Sequence, residues 1–140
     1  MATTTATITL NSDLLSDSIS VTADTTCMKA GTTADGLDEM RMGFTKVPTG
    51  TSFDLIDATA AHIDKANKIY ICNNSTDETY YVIITIDAKV IGRLYANDFM
   101  FIPWNADDAT HDIEVQAYTG TNDILFMVFH EGETLTTSGD

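Results

Sequence analysis

The stretch that decides the fold is TYYVIITIDAKVIGRLY, residues 79–95. It holds two runs of β-branched and aromatic side chains, Thr79–Ile86 and Val90–Tyr95, separated by the short turn Asp87-Ala88-Lys89. Such side chains fit the pleated surface of a strand, and a turn this short joins neighbouring antiparallel strands. The stretch therefore predicts a β-hairpin.

The rest of the chain repeats this pattern of short strands and turns. Threonine and isoleucine are frequent, with 23 and 13 of the 140 residues, and both favour strands over helices. Ten runs are candidate strands, which predicts an all-β domain, a β-sandwich of the jelly-roll type. The candidates are Thr5–Leu10, Ile19–Ala23, Met40–Val47, Ser52–Ile56, Lys68–Asn73, Thr79–Ile86, Val90–Tyr95, Phe99–Pro103, Ile113–Tyr118 and Ile124–His130.

The N-terminal residues differ from the remainder. Residues 1–30 hold no aromatic side chain, and Lys29 is the first cation of the chain. We predict an extended N-terminal arm over residues 1–30 and a single β-sandwich domain over residues 31–140. A second tight hairpin is expected through Thr119–Asp123. The segment Ala58–Asn67 forms either one or two helical turns, with Asp57 as a possible cap, or a loop.

The alternation of side chains predicts which of them face the core. In Met40–Val47 the apolar side consists of Met40, Met42 and Phe44, and in Ile113–Tyr118 it consists of Ile113, Val115 and Ala117. Each of these strands is expected to bury that side and expose the other.

Three strands are apolar on both sides, over residues 80–86, 99–104 and 124–129. Because a sandwich strand buries only one side in its own core, the second must be covered by something else. It is covered either by loops and the N-terminal segment or by another chain, and the second case predicts a homo-oligomer. The side chains predicted to contact another chain are Tyr81, Ile83, Met100, Ile102, Trp104, Ile8 and Leu10.

The charge of the chain excludes several classes of partner. Seven basic residues against 21 acidic ones give a net charge of −14 and an isoelectric point near 4.2. A domain this acidic repels phosphate backbones, so we predict no nucleic-acid partner. The longest apolar run, Phe126–Phe129, is too short to cross a bilayer, so we predict no membrane partner. The lack of any cation before Lys29 argues against a secretory signal.

Motifs for catalysis or cofactor binding are missing from the sequence. The nucleophile motif Gly-x-Ser-x-Gly and the common glycine-rich phosphate loops are absent. His62, His111 and His130 are widely separated, and Cys27 and Cys72 lack the spacing of a zinc or redox site. We therefore predict no catalytic residue, no cofactor, no metal ligand and no enzymatic activity. The two cysteines are either reduced and packed or joined in a disulfide.

Acidic residues crowd two short stretches of the chain. Oxygen-rich loops of this kind suit calcium, but neither stretch has the spacing of a known calcium loop. A solvated acidic surface is the favoured interpretation, and a cation site is the alternative. The two groups are Asp107, Asp108, Asp112 and Glu114, and Asp35, Asp38 and Glu39.

The block from residue 68 to residue 130 resembles a known family. Its order is an apolar strand with an Asn-x-Ser turn, a hairpin, an acidic residue before an aromatic–Ile–Pro strand, and a terminal apolar strand. The block is similar to small accessory structural proteins of tailed bacteriophages, especially marine and cyanobacterial ones, which decorate or cement the capsid. The segments that carry the resemblance are Lys68–Ser75, Tyr80–Ile86, Ile91–Leu94, Asp98–Trp104 and Ile124–Phe129.

This resemblance implies a β-sandwich that forms trimers on the outside of the capsid and binds the major capsid protein. The expected function is thus a decoration or cement protein of the virion exterior. The alternative is a receptor- or glycan-binding module of a tail, neck or fibre, because jelly rolls often bind ligands through loop aromatics.

Overall fold

A computed structural model describes residues 4–14, 16, 18–107 and 109–132. No helix within these ranges is long and apolar enough to cross a membrane. The elements are ten strands and one short 3₁₀ helix, Ala109–His111. The strands are β1 (Thr4–Ser12), β2 (Ile19–Cys27), β3 (Glu39–Val47), β4 (Phe53–Ile56), β5 (Asn67–Asn73), β6 (Tyr81–Ile86), β7 (Lys89–Tyr95), β8 (Phe99–Trp104), β9 (Ile113–Thr119) and β10 (Asn122–His130).

Strands β3 to β10 form two four-stranded antiparallel sheets. The first sheet has the order β3-β10-β5-β8, and the second has the order β4-β9-β6-β7. Consecutive strands change sheets at every connection except the β6–β7 hairpin. This alternation is the strand order of a jelly roll, so the predicted fold class is confirmed.

The core lies between the inner faces of the two sheets and consists mainly of β-branched side chains. Ile113, Val115 and Ala117 of β9 are buried there, which confirms the predicted alternation of that strand. Sandwich sheets pack about 10 Å apart, which suits such short, stiff side chains. The core also contains Val47, Ile56, Ile69, Ile71, Val82, Ile84, Leu94, Trp104, Ala106, Ile124 and Val128.

Strand β3 is turned the other way from its predicted orientation. Met40, Met42 and Phe44 are exposed, with Phe44 retaining 71% of its accessible surface, so their predicted burial is wrong. The inward positions opposite β10 include Gly43, which pairs with Phe126. A Cβ at Gly43 would lie 2.5 Å from the Phe126 ring. The ring of Phe126 on β10 therefore fills the core at this point, and Gly43 on β3 leaves the room for it.

Of the predicted connections, one is confirmed and one is wrong. Asp87 and Ala88, with φ of 51° and 57°, form the two-residue turn between β6 and β7, as a type I′ hairpin requires. The segment Thr119–Asp123 is not a hairpin turn, because β9 and β10 lie in different sheets. The segment Ala58–Asn67 contains turns but no helix, which leaves the loop alternative.

Buried amides explain why the chain crosses between sheets at that point. The Asn122 side chain donates to the Thr119 carbonyl at 3.0 Å and accepts from Asn73 Nδ2 at 2.9 Å. The Asn73 side chain also donates to the Leu94 carbonyl, and its amide oxygen Oδ1 accepts from the Ser75 backbone N–H. A buried network that satisfies its members specifies one geometry, here the crossing from β9 to β10.

The arm, defined as the β1–β2 hairpin, pairs with no other strand. Its base is attached to the sandwich. Cys27 is buried, its carbonyl accepts from Leu37 N at 2.8 Å, and Met28 bridges Gly36. Ala30 N donates to the carboxylate of Glu131 at 2.7 Å. Part of the predicted 1–30 arm and the end of the predicted 31–140 domain lie outside the described residues.

Candidate interaction surfaces

The outward side of the first sheet carries an apolar surface, which we call the apolar face. Strand register aligns its side chains in three rows across four strands, β3, β10, β5 and β8. Ten of the twelve positions are hydrocarbon, thioether or aromatic, and the exceptions are Lys68 and the thiol of Cys72. The rows are Phe44–Leu125–Cys72–Phe99, Met42–Met127–Tyr70–Phe101 and Met40–Phe129–Lys68–Pro103.

Solvent reaches this face, and no acid lies on it. Phe99 and Met42 keep 63% and 54% of their accessible surface. None of the twelve positions is Asp or Glu in a chain of net charge −14. Beyond one end of the rows, Asp123 is paired with Lys46 at 2.9 Å. Contiguous apolar patches of this kind mark binding surfaces in folded proteins.

The arm borders the apolar face without covering it. A groove of about 400 Å³ separates the first residues of β1, Thr4–Ile8, from the β5, β8 and β10 part of the face. On the face, its lining side chains are Tyr70, Phe99, Phe101, Leu125, Met127 and Phe129. Within the described residues, the arm lines one side of this groove, and Met42, Phe44 and Phe99 of the face stay exposed.

The two sides of the arm differ in polarity. Register places Ile8 opposite Ala23 and Leu10 opposite Val21 on one side. The neighbouring pair Thr9 and Thr22 lies on the other side. Ile8, Leu10, Ile19 and Val21 are all exposed. A two-stranded hairpin is at best marginally stable alone in water, so this apolar side is a second candidate contact surface.

The second sheet has a different outer surface, with a cluster of aromatic rings and one cation. We call it the tyrosine cluster, and it consists of Tyr81, Tyr95, Tyr118 and Arg93. Tyr81 stacks on Tyr118 with 5.9 Å between centroids and 7° between planes, and Tyr95 lies 5.0 Å from Tyr81. The Arg93 guanidinium lies 4.4 Å from the Tyr81 centroid and donates to Tyr95 Oη at 3.1 Å. This hydrogen bond raises the pKa of Arg93. Flat aromatic surfaces with a fixed cation are typical of recognition sites.

The structure separates the predicted contact residues into three places. Ile8 and Leu10 are exposed on the arm, and Tyr81 and Ile83 are half-buried on the second sheet. Met100, Ile102 and Trp104 face inward, so their assignment to an outer contact surface is corrected. Trp104 is buried and donates from Nε1 to the His111 carbonyl at 2.9 Å, while Met100 and Ile102 pack against the core.

A pair of buried histidines lines a cavity of about 710 Å³ beside Glu39. The rings of His62 and His130 lie 5.4 Å apart and edge to face. The Thr59 N–H donates to His62 Nδ1 at 3.2 Å, which places the neutral ring's proton on Nε2. That Nε2 is buried without a hydrogen-bond partner. In this tautomer neither ring nitrogen of His62 offers a free lone pair.

Burial lowers the pKa of His62, and the nearby His130 and Arg41 lower it further. The His62 ring therefore packs as a neutral group, 5.0 Å from Trp104. The predicted absence of catalytic, cofactor and metal residues, and of enzymatic activity, stays a prediction.

The acidic groups expected from the sequence are divided in the structure. The Gly132 N–H donates to Asp38 at 2.6 Å and Lys29 pairs with it at 3.1 Å, and these two contacts lower the pKa of Asp38. Asp107 accepts from Asn105 at 3.2 Å. Asp108 lies outside the described residues. These contacts pair Asp38 and Asp107 with residues of their own chain.

A different group of acids comes together at the end of β4. Single carboxylate oxygens of Asp54, Asp57 and Asp112 lie within 4.8 Å of one another. Burial, with Asp112 and Asp57 nearby, raises the pKa of Asp54. Asp112 also accepts from Ala58 N at 2.5 Å. Sequence spacing missed this group because β4 and β9 are paired in space but far apart in the chain.

Both cysteines are free thiols, which supports the reduced alternative. Cys27 is buried at the base of the arm, whereas Cys72 is half-buried in the first row of the apolar face. Cys72 donates to Asn74 Oδ1 at 3.1 Å.

No family model matches the chain. No curated protein matches it either. Among solved structures, a cupin protein from Bacteroides fragilis is similar, with 20% identity and a TM-score of 0.41 over 72% of this chain and 77% of that chain. At that distance the likeness concerns the fold alone, and the jelly-roll assignment rests on the strand order.

Sequence alternation misplaced the β3 part of the apolar face, three of its twelve positions. The β10 side chains were expected to be apolar on both sides, but Met40, Met42 and Phe44 were expected in the core. The missed signal lies in Arg41-Met42-Gly43-Phe44. A glycine on the inward side leaves room for a phenylalanine of the paired strand. Since neighbouring residues of a strand face opposite sides, Met42 and Phe44 then face outward.

Proposed function

We propose that this protein is a virion structural protein of the capsid decoration or cement type. In this role it forms homo-oligomers, as trimers, and binds the outer surface of the shell formed by the major capsid protein. The observation that carries the proposal is the apolar face, a twelve-position surface without acids on which Met42, Phe44 and Phe99 are exposed. The sequence resemblance over residues 68–130 supplies the type of virion protein.

The rest of the surface fits the same role. With a net charge of −14, the domain is repelled by packaged nucleic acid and is suited to the outside of a shell. The apolar face and the arm give each copy two separate contact surfaces. Several modest contacts made at once by one oligomer add up to tight attachment, because after the first contact the others are intramolecular.

A density map of the intact particle tests this proposal. We expect a trimer of these domains at each decoration site over the head, with the arm of each copy against a neighbouring copy or the shell. Density confined to the tail, or particles without the protein, would overturn the decoration role. Sedimentation of the purified protein gives an independent check, because a strict monomer at high concentration contradicts the oligomer.

The tyrosine cluster favours a second candidate, a glycan-binding module of a tail, neck or fibre. Tyr118 is exposed and stacked on Tyr81, and the Arg93 guanidinium is held beside the rings. Sugars present apolar ring faces that stack on aromatic side chains, and a guanidinium pairs with their acidic groups. A glycan array tests this function directly.

The array needs one variant and one control. Tyr118→Ala is expected to abolish any specific signal, whereas Phe44→Ala on the apolar face is expected to leave it unchanged. An array without signal from the wild-type protein removes the glycan-binding candidate and leaves the decoration proposal in place.

A further inference from the structure

We propose that the arm of one copy docks, through its apolar side, on the apolar face of a second copy of this chain. The inference rests on the proposed self-association and specifies which surfaces meet. It concerns the side of the arm that carries Ile8, Leu10, Ile19 and Val21.

The first argument is electrostatic. Copies with a net charge of −14 repel one another wherever acids approach acids. The apolar face has no acid and one cation, Lys68, so a like-charged copy can approach there. On the arm, Asp24 lies on the polar side opposite Thr7, away from the apolar side chains. The two surfaces therefore meet without bringing carboxylates together.

The second argument is that, within the described residues, neither surface is filled by its own chain. The arm pairs only with itself, and its apolar side chains remain exposed. Thr4–Ile8 of the chain's own arm line one side of a groove of about 400 Å³, which stays open between them and the face. An open groove of this kind holds water against apolar side chains. Replacing such water with apolar side chains favours association.

The third argument is the available area. A nine-residue strand is about 30 Å long, and two strands are about 10 Å wide, so the arm covers about 300 Å² of the face. One arm–face contact buries about 600 Å² in total, which is less than stable interfaces need. In a closed ring each copy gives one arm and receives another, so the two contacts that hold each copy bury about 1,200 Å² together, which is comparable with the lower limit of a standard interface. We therefore expect every copy both to give and to receive an arm.

Matched aspartate variants of the full chain test the two surfaces. Leu10→Asp on the apolar side of the arm and Met42→Asp on the apolar face are each expected to raise the dissociation constant of the oligomer at least about 30-fold. Thr9→Asp, one residue away on the polar side, and Ile91→Asp, on an edge strand of the other sheet and similarly exposed, are the controls. Each control is expected to change it less than about threefold.

Disulfide trapping identifies which copy the arm contacts. Cys72 already lies in the apolar face, so a cysteine at Ile8, Leu10, Ile19 or Val21 can report contact with it. We expect oxidation to give a covalent dimer for at least one of these four variants, and none for Thr9→Cys or Thr22→Cys. The dimer must disappear when Cys72→Ser is added.

The outcomes separate this inference from the proposals beneath it. A monomeric wild-type protein overturns arm docking together with self-association. An oligomer that is insensitive to Leu10→Asp, or a cross-link formed only within one chain, overturns arm docking and leaves self-association intact. A particle map with the protein on the tail overturns the decoration role while leaving arm docking unaffected.

Discussion

The two sheets of the jelly roll share a core but differ on their outer surfaces. The first sheet presents rows such as Met42–Met127–Tyr70–Phe101 to solvent. The second sheet places Gln116 and Arg93 on either side of Ile83, next to the tyrosine cluster. Inward side chains of both sheets are similar, since Ile71 and Ile84 are each fully buried.

This difference shows which part of the sequence is explained by folding and which is not. The inward side chains are sufficient to hold the two sheets together, so the outer surfaces are free to vary. A largely polar outer surface is ordinary for a sandwich. An outer surface as apolar as a core is costly to leave in water, at about 25 cal/mol per Å², and it therefore indicates a partner.

The largest expected effect comes from placing one charge at the centre of each outer surface. Met127 and Ile83 are both half-buried outward side chains on central strands, β10 and β6. We expect Met127→Asp to weaken self-association by at least about 2 kcal/mol, or about 30-fold, because the carboxylate would be desolvated in the contact. Ile83→Asp should leave association unchanged. Sedimentation equilibrium measures both.

The reverse result would relocate the contact. If Ile83→Asp dissociates the oligomer and Met127→Asp does not, the tyrosine cluster side of the molecule is the interface, as the sequence prediction for Tyr81 and Ile83 proposed. Urea unfolding of each variant shows whether a loss of association comes from a loss of folding.

Two glycines provide a comparison of stability between the sheets. A Cβ at Gly43 would lie 2.5 Å from the ring of Phe126, whereas nothing lies within 4 Å of one at Gly92. Gly43→Ala is expected to cost about 1–3 kcal/mol through overpacking. Gly92→Ala is expected to add about 0.5–1 kcal/mol, because alanine loses less backbone entropy. Urea midpoints test the pair, and equal changes in both would contradict the packing of Phe126 on Gly43.

Much of the fold could be predicted from the sequence because most strands have a recognisable local pattern of side chains. Runs such as Ile113–Tyr118 alternate cleanly, and Asp87-Ala88 separates two β-branched runs by a turn. Both features are confirmed. The crossing at Asn122 could not be predicted, because a short polar connection fits a hairpin and a sheet-to-sheet crossing equally. Only the buried bonds of Asn122 to Asn73 and Thr119 separate the two.

The candidate surfaces were harder to predict than the fold. When both sides of a strand are apolar, the alternation divides the side chains into two sets but does not show which set faces the core. For β8 the predicted outward set contained Trp104, which is instead buried with its N–H bonded to a carbonyl. For β3, the residue that indicates the inward side is Gly43. It does so because it pairs with Phe126, which lies more than 80 positions later in the chain. Long-range pairing decides such cases, and local patterns do not contain it.

Salt should act on the two kinds of surface in opposite directions. Raising sodium chloride from about 0.1 M to about 1 M shortens the Debye length from about 10 Å to about 3 Å. Repulsion between copies of net charge −14 is then screened, so an apolar contact should tighten by about threefold to fivefold. A contact built on Arg93 should weaken instead. Sedimentation at the two salt concentrations distinguishes these cases.

The smallest expected effect is a pH dependence that enters through His62, which packs beside the first sheet. Burial keeps its pKa below the usual 6.5, and His130 and Arg41 act in the same direction. Below pH 6.5 the His62 ring therefore binds a proton more readily in the unfolded chain than in the folded one. The free energy of unfolding is unaffected by this group above pH 6.5 and decreases as the pH falls below that value. Thermal unfolding between about pH 7.5 and about pH 5.5 should show this decline, and His62→Gln should flatten it. An NMR titration of the wild type gives the direct check, since a His62 ring that protonates at its ordinary pKa would contradict a neutral, packed imidazole.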